Sequence, residues 1–129
     1  MSTAKKKGTA AETDVVRYLR AAGFPSTERR AQTGNHDRGD ITGIPGTVIE
    51  VKNCARTELA SWVDEAETEG RNDQAHVAVV WHKRRGRSNP ADWFVTMTGD
   101  QFTWLLRAAM GLPEAEEALA EEFGGGEAA

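Results

Sequence analysis

The chain has 129 residues, a length that suits one compact domain with a single hydrophobic core. No apolar run approaches the roughly 20 residues that a membrane-spanning helix needs, and no apolar segment follows the N-terminal lysines as it would in a signal peptide. The single cysteine, Cys54, excludes an internal disulfide and a cysteine-based zinc site, and it fits a reducing cytoplasm.

The net charge of −4 conceals an uneven distribution of charged residues. Residues 112–129 hold six acidic residues and no basic one, so the rest of the chain carries 16 basic against 14 acidic residues, near +2. Local basic clusters matter more for nucleic-acid binding than the net charge does, and we predict phosphate contacts there, with solvated termini and turns as the alternative. The clusters are Lys5, Lys6 and Lys7, then Arg29 and Arg30, then Lys83, Arg84, Arg85 and Arg87.

The N-terminal region predicts a flexible basic arm over residues 1–8, followed by a helix that begins at Thr9. Thr9 and Glu12 have the spacing of a capping box, and an apolar stripe then runs to Gly23, which ends the helix. Glu12 lies at the edge of that stripe. It could therefore cap the helix, which is the simpler interpretation, or lean toward a neighbouring site.

A β-hairpin is predicted after a short strand and a polar loop. The strand covers residues 24–32 and the loop residues 32–39, while the hairpin strands are the apolar runs 41–44 and 48–51. A Pro-Gly pair between the two runs supplies the turn. Polar loops beside charged strands often carry function.

The charged residues of the hairpin share one face of its second strand. Because successive side chains alternate, Ile49 and Val51 face one side of the sheet, and Glu50 and Lys52 face the other. Asp40 adds a third charge at the start of the partner strand. Isolated buried charges are costly, so such a cluster is usually paired, bound to a metal or half exposed.

The second half of the chain predicts a helix, two strands and a last helix. The first of these helices runs from Thr57 to about Gly70, and its acidic face is interpreted as solvated. The strand over 76–82 is almost continuously apolar, which is typical of the interior of a sheet. The acidic face consists of Asp64, Glu65, Glu67 and Glu69.

The return strand covers residues 93–98, and Thr98 with Gln101 forms a second capping box that opens the last helix. Residues 112–129 are predicted to be a disordered acidic tail. The order of these helices and strands along the chain predicts an α/β domain over residues 9–111, with a central mixed sheet of about five strands flanked by helices. A helix that connects two strands implies at least one parallel pair.

The charged hairpin residues have the chemistry that phosphodiester hydrolysis needs. One or two Mg²⁺ ions held by carboxylates can neutralise the phosphate, activate a water and help the leaving oxygen. Asp40, Glu50 and the Val51 carbonyl could supply three of the oxygen ligands that Mg²⁺ prefers. Lys52 could hold the attacking water or steady the phosphate. The alternative is the exposed sheet of an acidic-tailed interaction protein, since cross-face charge pairs are common.

Four segments of the chain resemble the archaeal-type Holliday junction resolvases of the PD-(D/E)XK nuclease superfamily. The resemblance covers roughly residues 5–106, and its N-terminal half is the specific part. The basic loop 83–87 and the acidic tail have no counterpart that we can map, which leaves the dimer geometry and junction selectivity open. The four segments are Lys-Lys-Lys-Gly-Thr-Ala-Ala-Glu at 5–12, Gln-Thr-Gly at 32–34, Arg-Gly-Asp-Ile at 38–41 and Ile-Glu-Val-Lys-Asn at 49–53.

This resemblance implies a restriction-endonuclease-like fold, a homodimer and Mg²⁺-dependent cleavage of four-way DNA junctions, with Mn²⁺ able to substitute. It implies metal binding by Glu12, Asp40 and Glu50, catalysis that also uses Lys52, and DNA contacts that include Thr33 and Arg38. It further implies a cytoplasmic enzyme of a bacterial cell or phage-infected host, with no membrane partner and no small-molecule cofactor. Two alternatives remain open: a related nuclease that cuts flaps, nicks or duplex, and a non-catalytic DNA-binding module.

Overall fold

A computed structural model describes residues 3–30, 40–112 and 121–123. The chain divides into a unit over Met1–Thr98, which holds five strands, two α-helices and a short 3-10 helix at Pro90–Asp92, and a unit over Gly99–Ala129, which holds a third α-helix. The predicted domain over 9–111 spans the boundary between these units. The helices are α1 (Thr3–Ala21), α2 (Leu59–Asn72) and α3 (Gly99–Met110), and the strands are β1 (Glu28–Arg29), β2 (Ile41–Thr42), β3 (Thr47–Lys52), β4 (Val77–His82) and β5 (Phe94–Thr96).

The five strands form one mixed sheet in the order β1-β2-β3-β4-β5. Strands β3 and β4 are parallel over their whole length, whereas the other three pairs are antiparallel. Helix α2 connects the parallel pair, because parallel neighbours need a crossover. The predicted α/β fold with a mixed sheet and a parallel pair is confirmed, and the restriction-endonuclease-like assignment stays a prediction.

Helices cover both faces of the sheet in the first unit. The apolar stripe of α1, with Val15 and Val16, packs against Ile49, Val51 and Val79. On the other face, α2 packs Trp62 and Ala66 against Val80. The alternation predicted for β3 is therefore confirmed, and Glu50 and Lys52 lie on the face that α2 covers.

Helix α1 begins at Thr3, so the prediction of a flexible arm ahead of a helix at Thr9 is wrong for residues 3–8. Alanine and lysine are good helix formers, and one glycine at position 8 costs only about 1 kcal/mol, so the helix extends N-terminally. Thr9 lies inside the helix, where its carbonyl accepts a hydrogen bond from the Thr13 hydroxyl at 3.0 Å. Glu12 therefore does not cap the first turn.

Other element boundaries shift by one to several residues. The N-cap of α2 is Glu58 rather than Thr57, and its side chain makes no capping hydrogen bond. Strand β1 has two residues where residues 24–32 are predicted, because a turn closed by the Thr27 amide and the Phe24 carbonyl occupies the first part. Strands β4 and β5 and helix α3 lie within a few residues of their predictions. None of the helices in the described ranges is long and apolar enough to cross a bilayer.

Substituting Gly43 by alanine is expected to lower the free energy of unfolding by about 2–5 kcal/mol. Gly43 has a φ of +93°, and a Cβ there would collide with the backbone carbonyl of Ser26. Gly86 is the matched control, because it has a φ of +79° but open space around a Cβ, so Gly86→Ala should cost only about 1–2 kcal/mol. Urea unfolding followed by circular dichroism measures the free energy of unfolding of both variants. Equal losses of stability in Gly43→Ala and Gly86→Ala would contradict the predicted steric collision.

Candidate functional site

A cavity of about 530 Å³ lies at the carboxyl end of β3 and extends to the N-terminal half of α1. Three separate parts of the chain meet there: α1, the residue that precedes β2, and β3. We call it the acidic cavity. All four side chains for which the sequence predicts catalysis line it, together with the predicted ligand Val51: Glu12, Asp40, Glu50 and Lys52.

Asp40 is held against β3 by two backbone hydrogen bonds. Its Oδ2 accepts the Val51 amide at 2.7 Å, and its own amide donates to the Ile49 carbonyl at 3.1 Å. Burial, opposed by the Val51 hydrogen bond and reinforced by the charge of Glu12, raises the pKa of Asp40 to about 6. The Val51 amide thus contacts the site by its hydrogen bond to Asp40. That the Val51 carbonyl binds a metal ion stays a prediction.

Glu50 is a buried carboxyl, with 5% of its surface exposed. Its Oε1 lies 3.4 Å from the Lys52 Nζ, whereas its buried Oε2 receives no N–H or hydroxyl hydrogen bond within the described part of the chain. Burial first, and then a hydrogen bond shared with the Glu69 carboxyl, raise the pKa of Glu50 to about 11. Both effects favour the protonated form of the Glu50 carboxyl over its charged form.

Two acidic residues of α2 belong to the site, although the sequence predicts them on a solvated face. Glu69 is 1% exposed, and a carboxylate oxygen of Glu65 lies 3.1 Å from the Lys52 Nζ. Carboxylate oxygens of Glu50, Glu65 and Glu69 lie within 4.8 Å of one another, an arrangement that could hold a metal ion. The prediction of a solvated face is wrong for Glu69, which is buried, whereas Glu65 is partly exposed and pairs with Lys52. The prediction holds for Asp64, which is exposed.

A signal for these two residues is present in the sequence. Glu65 and Glu69 follow Trp62 by three and seven residues, so they share the helical stripe that buries Trp62 and Ala66 against the sheet. Gly70 permits a close approach of α2, because a Cβ there would come within 2.9 Å of the Ala78 Cβ. The crossover helix therefore places its acidic residues over Glu50.

The predicted phosphate-binding residues have several different environments. Arg29 pairs with Glu12 at 3.0 Å, and Arg30 pairs with Asp73 at 3.2 Å, so both arginines are already engaged. Lys5, Lys6 and Lys7 lie on α1, and Lys7 reaches the acidic cavity. Thr33 and Arg38 lie outside the described residues.

The basic loop that follows β4 is fixed by aromatic residues. The Lys83 ammonium lies 5.6 Å from the centre of the Trp93 ring, and the Arg84 guanidinium lies 5.0 Å from that of Phe94. The Trp93 indole N–H donates to the Arg87 carbonyl at 2.8 Å. The loop thus presents its cations from a defined turn, and Arg85 and Arg87 are exposed.

We expect the free energy of unfolding in EDTA to fall as the pH rises, relative to a Glu50→Gln variant. The folded state binds protons on Asp40 and Glu50 more tightly than the unfolded state, whose carboxyls titrate near pH 4. The free energy of unfolding therefore decreases above pH 4, by up to about 1.4 kcal/mol per pH unit for each of these protons. Asp40 contributes to this decrease up to about pH 6, where its carboxyl loses its proton in the folded state.

Glu50→Gln removes one of these two titrating carboxyls. The free energy of unfolding of the variant should therefore change less between pH 6 and pH 8 than that of the wild type. Urea unfolding at several pH values measures the difference between the two proteins. Parallel curves would show that Glu50 does not carry a raised pKa.

Comparisons with protein-family models, with curated proteins and with solved structures find no match to this chain.

Proposed function

We propose that this protein is a metal-dependent endonuclease that hydrolyses phosphodiesters in branched DNA, with the four-way junction as its substrate. The observation that carries this proposal is the meeting of Glu12, Asp40, Glu50 and Lys52 around one cavity. These side chains come from positions 12, 40, 50 and 52, and each is one that the resemblance to junction resolvases assigns to the active site.

The carboxylates fit a hard divalent cation. Within the described residues, the carboxylates that lie within 4.8 Å of one another are those of Glu50, Glu65 and Glu69, and these would hold Mg²⁺ or Mn²⁺. Asp40 and Glu12 line the cavity beside Glu50 and would be further oxygen donors, with Glu12 released from its ion pair with Arg29. Burial is the main cause of the raised pKa values of Asp40 and Glu50, and a bound cation would oppose it by favouring their ionised forms. When bound, the metal would neutralise phosphate charge and activate a water.

Lys52 acts in this proposal as a donor rather than a base. Burial tends to lower its pKa, but the charges of Glu50 and Glu65 outweigh burial and raise the pKa above its usual value. The side chain is therefore an ammonium at neutral pH. It can donate a hydrogen bond to a phosphate oxygen or orient the attacking water, and the two carboxylates fix its position.

The choice of DNA as substrate is supported by the cations near the site, namely Lys7 on α1 and the loop after β4. Contacts with phosphates position a nucleic acid without reading its bases, which suits selection by branch geometry. The choice of the four-way junction among branched DNAs is supported by the motif resemblance. A related nuclease that prefers flaps or duplex would use the same site.

A homodimer is part of this proposal, because paired incisions at a junction need two active sites. Helix α3 supports it, since four large apolar side chains of that helix are exposed. Sedimentation velocity of the whole chain tests this point. The side chains are Phe102, Trp104, Leu106 and Met110.

The test is cleavage of an end-labelled four-way junction in Mg²⁺, beside a duplex and a flap of matched sequence. We expect paired, symmetrical nicks in the junction, none in EDTA, and none from Asp40→Asn, while Asp14→Asn, which is outside the acidic cavity, retains activity. Preferential cleavage of flap or duplex would keep the chemistry and reject the substrate. Binding of DNA without cleavage in Mg²⁺ or Mn²⁺ would reject the nuclease.

A further inference from the structure

A second cavity, also of about 530 Å³, adjoins the acidic cavity. The two share a wall formed by residues 53–55, which follow β3, and both reach Lys7 of α1. We call the second one the basic cavity. Its remaining lining residues are Thr57, Lys83 and Arg85.

The two cavities differ in the charge of the side chains that line them. Three carboxyl groups and two lysines, Lys7 and Lys52, line the acidic cavity, whereas the basic cavity has three cations, Lys7, Lys83 and Arg85, and no carboxylate among the described residues that line it. Asn53 and Thr57 add an amide and a hydroxyl that can donate hydrogen bonds. This set of donors favours an anion with several oxygens, such as a phosphate.

The loop after β4 directs only some of its cations to this cavity. Lys83 and Arg85 line it, while Arg84 lies over the Phe94 ring instead. The Arg87 amide donates to the Arg84 carbonyl at 3.1 Å, so a turn holds this division in place. Strands β3 and β4 are parallel, and their carboxyl ends therefore bring residue 53 and Lys83 to the same edge of the sheet.

We propose that one polynucleotide strand occupies both cavities. One of its phosphates binds in the basic cavity and a neighbouring phosphate lies at the carboxylates of the acidic cavity, so the strand crosses the wall formed by residues 53–55. This proposal rests on the proposed function for the identity of the ligand as a polynucleotide. A chain of regularly spaced phosphates can occupy both cavities at once, whereas a mononucleotide or free phosphate fills one. The basic cavity thus positions the strand and has no role in the bond that breaks.

Cys54 supplies the test, because it is the single cysteine of the chain, is exposed, and belongs to the shared wall. Its modification by a maleimide is followed by mass spectrometry in EDTA, with and without a junction oligonucleotide at low salt. At a DNA concentration about ten times Kd, we expect modification to slow by about tenfold, in proportion to the unbound fraction.

Variants of the loop make the test specific. Arg85→Gln is expected to weaken the protection of Cys54 and to lower the salt dependence of DNA binding by about one counterion. Arg84→Gln is the control from the same loop, because Arg84 lies over the Phe94 ring and does not line the basic cavity. With each variant at ten times its own Kd for DNA, Cys54 should be protected in Arg84→Gln as in the wild type and less in Arg85→Gln. Fluorescence anisotropy measures the affinities.

Three outcomes would overturn the proposal: DNA binding that leaves Cys54 fully reactive, Arg85→Gln with wild-type protection, or protection by inorganic phosphate but not by the oligonucleotide. Its failure is distinct from a failure of the proposed function. Cleavage without protection would keep the nuclease and reject the strand path. Protection without cleavage in Mg²⁺ would support the strand path and reject the nuclease.

Discussion

Replacing Lys52 with alanine is expected to lower the rate of junction cleavage by about 10²–10³-fold, the usual effect of removing one preorganised donor from an active site. The ammonium is held between Glu50 at 3.4 Å and Glu65 at 3.1 Å, so its loss removes a positioned charge and not a mobile surface contact. Junction affinity should change little, because the other cations remain. Single-turnover cleavage and anisotropy with the same junction measure the two quantities.

Two controls separate this chemical effect from a loss of folding. Removing Lys52 leaves the carboxyls of Glu50 and Glu65 without their cation, so the thermal unfolding of the variant is measured in the cleavage buffer. Lys83→Ala removes a lysine that lies at the basic cavity, and it should lower affinity more than the single-turnover rate. Wild-type cleavage by Lys52→Ala would show that the site is assigned wrongly.

Mg²⁺ or Mn²⁺ is expected to stabilise the wild type by about 2.7 kcal/mol at one hundred times the Kd for the metal, because only the folded chain brings the carboxylates together. Glu50→Gln should abolish this stabilisation. In EDTA near pH 8 the same variant should be more stable than the wild type, because the amide is neutral without a proton, whereas the Glu50 carboxyl must take one up when it is buried on folding. Thermal unfolding with and without metal measures both effects.

Single substitutions on either side of Glu50 show which neighbours help to hold the cation. Asp40→Asn tests the carboxyl bound to the Val51 amide, and Glu69→Gln tests the buried carboxyl from α2. Asp64→Asn is the control from the exposed face of α2 and should respond to metal as the wild type does. Equal metal stabilisation in wild type and Glu50→Gln would show that the cation binds elsewhere.

The sheet and half of the site could be predicted from local patterns. Alternation along β3 assigns Ile49 and Val51 to one face and Glu50 and Lys52 to the other, since the period of a strand is fixed. The apolar run of β4 and the helix before it predict the parallel pair. Asp40 is predicted as part of the site because it adds a third charge, at the start of the partner strand, to the pair formed by Glu50 and Lys52.

The α2 half of the site could not be predicted in this way. An acidic helical face is normally solvated, and Glu65 and Glu69 become site residues only because the crossover lays α2 over β3. Their helical spacing from Trp62 places both on the buried stripe of α2, but it does not tell which strand that stripe covers, because that relation is tertiary. The start of α1 was predicted wrongly for a different reason: the capping box at Thr9 competed with good helix formers before it, and helix propensity prevailed.

The two-residue length of β2 divides the site into parts of unequal local stability. Glu50 and Lys52 belong to a six-residue strand that is paired with β4 along its whole length, whereas Asp40 precedes a strand held by few backbone hydrogen bonds. Amide hydrogens at 40–42 should therefore exchange with deuterium faster than the β3 amides that donate to β4, through an opening that leaves β3 and β4 paired. The Val51 amide, which donates to Asp40, should exchange with the faster group. A cation bound by both Asp40 and Glu50 would slow that exchange. Metal binding would therefore be detected as protection of the amides at residues 40–42.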